Sequence, residues 1–268
     1  MSAIRVLSAL SFLLVAAALP AQGIVYSFDG DHSKDYFGHA VASAGDVNGD
    51  GLDEILVGAY GDDTAGNLAG SVRVFSGLGG VPLYTFYGSS AGAGLGRAVA
   101  GAGDVDGDGF GDFLLGAELD NTTGWAAGSA WVYSGWDGRL LFSFYGDGVG
   151  DEFGQALCAL GDVNGDGHDD FLITASELAY GGGDPGYARV FSGADGAVLY
   201  ALAGTAPGDD FGVSAAALGD LDGDGITDFV LGASREDTAG NSAGRVYAFS
   251  GVDGSLLWSA VGDAAGDQ

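Results

Sequence analysis

Apolar residues in this chain come in short runs cut by glycine and acid, and the runs recur in a fixed order. The first run is small and apolar: HAVASAG at 39–45, RAVAGAG at 97–103, QALCALG at 155–161 and VSAAALG at 213–219. The second is unbroken: EILVGA at 54–59, DFLLGA at 112–117, DFLITA at 170–175 and DFVLGA at 228–233. A run with no polar alternation predicts a strand covered on both faces. The third follows a glycine, as in GSVRVFSG at 70–77 and GSAWVYSG at 128–135. The fourth, such as VPLYTFYG at 81–88 and RLLFSFYG at 139–146, is joined to the third through Gly-Gly or Asp-Gly hairpin turns. Alanine and serine in the first run, where leucine would be usual, predict a crowded inner strand.

All four runs return every 58 residues without insertion. A period of that length, with four strands per unit and covered faces, predicts an all-β fold: a β-propeller of four-stranded antiparallel blades. The expected organisation is a stray outer strand at 22–30, blade 1 at 31–88, blade 2 at 89–146, blade 3 at 147–204, blade 4 at 205–262, and the start of a next blade at 263–268. Because 22–30 aligns with the fourth run, a closing blade of three strands is expected further along the natural product.

Before the repeats, residues 1–21 place Arg5 ahead of an apolar stretch from Val6 to Leu19 and small residues near Ala21. This pattern predicts a secretory signal peptide. The apolar stretch is short for a membrane span, and no membrane insertion is expected. The chain has a net charge of −29, which disfavours nucleic acid as a partner. Its one cysteine, Cys158, excludes a disulfide framework and stands where other repeats carry Ala42, Ala100 and Ala216. The expected location is extracellular or at the cell surface.

Between the first and second runs lies D-x-[DN]-x-D-G-x-x-[DE]. In blade 1, Asp46, Asn48 and Asp50 alternate so that their oxygens converge, Leu52 offers a carbonyl and Glu54 closes the loop. Blade 2 supplies Asp104, Asp106, Asp108, the Phe110 carbonyl and Asp112. Blade 3 supplies Asp162, Asn164, Asp166, the His168 carbonyl and Asp170; blade 4 supplies Asp220, Asp222, Asp224, the Ile226 carbonyl and Asp228. An all-oxygen donor set on a flexible loop predicts Ca2+, about four ions, one per blade. An EF-hand would need a glutamate at position 12, which here falls on Val57, Leu115, Ile173 and Leu231 inside the second strand.

These residues resemble the FG-GAP repeats of integrin α-subunit N-terminal propellers and secreted bacterial relatives. The FG pair is Phe37-Gly38, Phe153-Gly154 and Phe211-Gly212, with Leu95-Gly96 departing from it. The GAP-like element is VGAY at 57–60, LGAE at 115–118, ITAS at 173–176 and LGAS at 231–234, without the proline. The resemblance implies a calcium-stabilised ring of about seven blades that binds extracellular ligands. The expected function is therefore a non-catalytic binding, adhesion or scaffold module with an extracellular protein or glycan as partner. The alternatives are the propeller of a larger hydrolase, lyase or quinone-dependent enzyme, or a lectin-like propeller using Trp125. His32, His39 and His168 are expected at the surface rather than in catalysis, and Trp131, Trp136 and Trp258 in or beside the core.

Overall fold

The structure is a computed structural model that describes residues 26–176 and 185–266. The expected signal peptide, residues 22–25 of the stray strand and residues 267–268 lie outside the described residues. Blade 1 comprises β1 (Val41–Gly45), β2 (Glu54–Ala59), β3 (Ser71–Phe75) and β4 (Pro82–Tyr87). Blade 2 comprises β5 (Ala98–Gly103), β6 (Asp112–Ala117), β7 (Ser129–Tyr133) and β8 (Leu140–Tyr145). Blade 3 comprises β9 (Leu157–Gly161), β10 (Asp170–Ala175), β11 (Tyr187–Phe191) and β12 (Val198–Ala203). Blade 4 comprises β13 (Phe211–Gly219), β14 (Asp228–Ala233), β15 (Arg245–Phe249) and β16 (Leu256–Val261). Each blade is a separate four-stranded antiparallel sheet with its strands in chain order. The fold is a β-propeller.

The unbroken second runs are buried as their composition requires, because successive side chains enter two different cores. Phe113 and Leu115 of β6 point back to Ala44, Leu56, Val72 and Val74 of blade 1. Their neighbour Leu114 points forward to Phe171 and Ile173 of blade 3. The junction of blades 3 and 4 repeats this with Leu172, Val190, Phe229 and Leu231. Aromatic residues of the outer strands of blades 1 and 2 reach across to the next blade. Phe86 meets Tyr133 at 4.3 Å between ring centroids, and Phe144 meets Phe191 at the same distance. Residues 26–30 of the expected stray outer strand lie outside any sheet, and Phe28 stacks on Phe75 at 4.1 Å.

The small apolar strands β1, β5, β9 and β13 pack side by side along the inner edge. The FG-type turn explains the glycine in the second run. Gly96 donates its N–H to the Gly116 carbonyl within blade 2, and its own carbonyl approaches β2 so closely that a Cβ on Gly58 would lie 2.0 Å from it. Glycine at 58 is thus a packing requirement between blades, not a flexible joint.

Blade 4 presents its forward face bare among the described residues. Leu221 and Val246 are 47% and 39% exposed, whereas Val47 and Val72 in the same slots of blade 1 are at 1% and 0%. Trp258 on β16 is exposed for the same reason, and Trp136 is exposed on the β7–β8 turn, so neither is in the core. Cys158 is buried between blades 3 and 4, and burial pushes its thiol up to about 11. An aromatic disulfide reagent at pH 8 is therefore expected to leave the folded chain unlabelled and to label it once denatured. Labelling of the native chain at the rate of a free thiol would contradict this packing.

Candidate metal centres

The acidic loops leave the sheet through a bulge. The β1–β2 register shifts between Ser43 and Gly45, and the β5–β6 register between Gly101 and Gly103. Gly45 and Gly103 carry φ of 76° and 78°, a conformation a side chain would resist. The chain then curls around the first aspartate. Asp46 Oδ1 accepts the N–H groups of Gly49 at 2.7 Å and Asp50 at 3.1 Å, and Oδ2 accepts that of Gly51 at 2.9 Å. Asp162 and Asp220 repeat the arrangement with Gly165, Asp166 and Gly167, and with Gly223, Asp224 and Gly225. Asp104 accepts from Asp108 and Gly109.

The third and fifth positions fix each other in turn. Asp50 N–H donates to Asn48 Oδ1 at 2.9 Å, and Leu52 N–H donates to Asp50 Oδ1 at 3.0 Å. The same pairs recur at Phe110, His168 and Ile226, whose N–H groups bond Asp108, Asp166 and Asp224. This leaves the remaining oxygens of the alternating side chains facing one another. Oxygens of Asp104, Asp106 and Asp108 lie within 4.8 Å of each other, as do those of Asp220, Asp222 and Asp224. Blades 1 and 3 have asparagine at the third position: Asn48 Nδ2 donates to Glu54 Oε1 at 2.7 Å, and the Oδ1 atoms of Asn48 and Asn164 accept the N–H groups of Asp50 and Asp166. A set of hard oxygens with this crowding fits a hard cation.

The ninth-position acids take a second role that spacing alone does not reveal. Glu54, Asp112, Asp170 and Asp228 are fully buried. Asp112 Oδ2 accepts the N–H of Val105 at 2.8 Å, while Oδ1 accepts that of Gly135 in the β7–β8 turn at 2.9 Å. Asp170 does the same with Val163 and Gly193, and Asp228 with Leu221 and Gly251. Each therefore latches the acidic loop to the hairpin of its own blade.

The carboxyls of the loops are shifted in opposite directions. Burial, with the negative charge of Asp106, pushes the Asp112 carboxyl up to about 7. Asp222 is also raised, by desolvation and then by Asp224, Asp228 and Asp220. Asp46 is held low instead, because the N–H groups of Gly51, Gly49 and Asp50 outweigh desolvation. Blade 2 differs from the others in a further way: the Arg139 guanidinium pairs with Asp106 and lies beside Asp137. The His168 ring, expected to point outward, folds onto blade 2 and places Nδ1 2.8 Å from the Val105 carbonyl.

Blades are also stitched at this end. Gly111 N–H donates to the Asp46 carbonyl, and Asp169 N–H donates to the Asp104 carbonyl, both at 3.0 Å. A family model described as FG-GAP repeat matches residues 37–75, 153–191 and 211–249, each running from the FG-type turn through the third strand. The chain carries FG-GAP repeats. The corresponding segment of blade 2, where Leu95 replaces the phenylalanine, falls outside those three matches.

Among curated relatives, integrin alpha-4 of Xenopus laevis is 33% identical over 165 residues, covering 57% of this chain and 15% of the relative. Integrin alpha-V of Gallus gallus is 29% identical over 232 residues, covering 76% of this chain and 20% of the relative. The FG-GAP chain thus spans about a fifth or less of the length of these integrins. A solved structure of BBS1N in complex with ARL6DN superposes with a TM-score of 0.50 at 9% identity, covering 84% of this chain and 53% of that one. At that identity the likeness concerns the propeller fold alone. No helix among the described residues is long and apolar enough to cross a membrane.

Proposed function

We propose that this FG-GAP propeller is an exported, calcium-stabilised binding module that acts in adhesion or as a scaffold outside the cell. The carrying observation is the repeated loop: it stands at the same strand junction of every blade, each copy latched by a buried acid, and in blades 2 and 4 three carboxylates converge. Asp46, Asn48 and Asp50 would hold the ion in blade 1, with the Leu52 carbonyl and Glu54 completing the set. The matching residues named above would do so in blades 2, 3 and 4. Bound calcium supplies positive charge that the crowded carboxylates lack, and the chain's own residues orient those carboxylates through backbone N–H bonds.

A binding rather than catalytic role fits the reactive side chains. His32 and His39 are exposed, His168 is engaged by a carbonyl, and the Cys158 thiol is buried with its ionisation suppressed. The similarity to integrin α chains supports a protein or glycan ligand on the propeller surface. Calorimetric titration with calcium tests the metal reading: about four ions per chain are expected, falling by one in Asp220→Ala. Heat no greater than dilution would remove calcium from the account.

A further inference from the structure

Four copies of one unit allow slots to be compared inside a single chain. At the acidic-loop end the slots agree from blade to blade. At the opposite end, where the first strand of each blade is entered and the second left, three slots differ entirely. They hold Tyr36, His39 and Tyr60 in blade 1, and Gly94, Arg97 and Glu118 in blade 2. Blades 3 and 4 instead close these slots with local hydrogen bonds, Ser176 to Glu152 and Ser234 to Asp210.

In blades 1 and 2 the slots merge into one cluster. Tyr36 stacks on Tyr60 with centroids 4.6 Å apart and planes 7° from parallel. His39 meets Tyr60 edge-on at 4.6 Å, and the Arg97 guanidinium lies 4.6 Å from the Tyr60 centroid. Arg97 is held there by an ion pair with buried Glu118. Tyr60 is thus half-buried, while Tyr36 is 52% exposed. The Tyr36 ring also leans over Gly61, where a Cβ would come within 2.7 Å of it. One ring face is packed on Tyr60, and about half of the residue stays exposed.

The backbone makes tyrosine a costly choice here. Position 36 has φ of 54°, and the same slot is positive at Gly94, Glu152 and Asp210, so the turn itself demands it. Glycine or a short acid meets that demand cheaply; a bulky aromatic does not. Asp35, the residue before Tyr36, lines a groove of about 340 Å³ together with His32, Ser33, Asp63 and Thr64. That volume is within the range of small-ligand sites. The groove offers carboxylate and hydroxyl oxygens, and its Asp35 immediately precedes the half-exposed Tyr36, whose ring lies outside the groove's own lining.

We propose that Tyr36 and this groove bind an uncharged pyranose unit of an extracellular polysaccharide. The apolar face of the sugar would lie on the ring, and its hydroxyls would donate to Asp35 and Asp63. A net charge of −29 opposes polyanionic sugars and selects uncharged ones. The assignment rests on reading the propeller as an extracellular binding module.

Affinity electrophoresis tests it, running the whole chain in 1 mM calcium through gels containing xylan, mannan, a mixed-linkage glucan or alginate. Retarded migration is expected in at least one uncharged gel and not in alginate. Tyr36→Gly should abolish it without lowering the melting temperature, since glycine suits that backbone and already fills the slot in blade 2. Tyr36→Trp and Trp125→Ala should keep it. Full mobility in every uncharged gel, or unchanged retardation of Tyr36→Gly, would overturn the proposal. The calcium titration separates the two readings: ions bound without retardation overturn the sugar site alone.

Discussion

Removing calcium is expected to lower the melting temperature of this protein by roughly 15 °C. A site with a dissociation constant near 10⁻⁴ M, usual for extracellular modules, stabilises by about 1.4 kcal/mol at ~1 mM free ion. Four independent sites contribute about 6 kcal/mol, and a chain of this size shifts by about 2–4 °C per kcal/mol. The effect is large because the loops sit where blades are stitched, at the Gly111–Asp46 and Asp169–Asp104 hydrogen bonds. With one cysteine, the chain has no intramolecular disulfide to hold that end. Differential scanning calorimetry in calcium and in chelator measures the shift. Identical melting curves would mean that the carboxylates are held by backbone N–H groups alone.

Asp170→Ala is expected to cost about 3–5 kcal/mol, in chelator as well as in calcium. The side chain is fully buried and accepts N–H groups from Val163 at 2.9 Å, Asn164 at 3.3 Å and Gly193 at 2.9 Å. Alanine leaves those donors without an acceptor, at about 1–3 kcal/mol for each that water cannot reach. It also uncouples the blade 3 loop from the β11–β12 turn. Asp170→Asn keeps one acceptor oxygen and should fall between the two. Urea midpoints with and without calcium provide the readout. A loss confined to the calcium sample would show that Asp170 acts only as a metal ligand and that the latch contributes nothing.

The strands, their order and the loop between the first and second were legible in the sequence because each signal is local. Glycine and acid mark turns, and an unbroken apolar run needs two covered faces. The 58-residue step then multiplies every signal by four. Local signals failed where a side chain meets another blade. His168 looked solvent-directed by its place in the loop, but the Val105 carbonyl of blade 2 lies within its reach. Trp136 and Trp258 looked like core because they lie in or beside strands. One is on a turn that projects from the sheet, and the other is on the forward face of blade 4.

The ninth acid shows the division most clearly. Its spacing placed it at the loop's end, and the same reading could not show that a hairpin 23 residues onward would present an N–H to it. Sequence alone determined the blade, its period and the oxygen chemistry of the acidic loops, since these depend on neighbours within a few residues. Only the tertiary structure decided the latch within each blade, the cores between blades, and the meeting of Tyr36, Tyr60, Arg97 and Glu118 on one rim. Contacts between residues far apart in the chain are set by how sheets twist and stack, and no local pattern encodes that geometry.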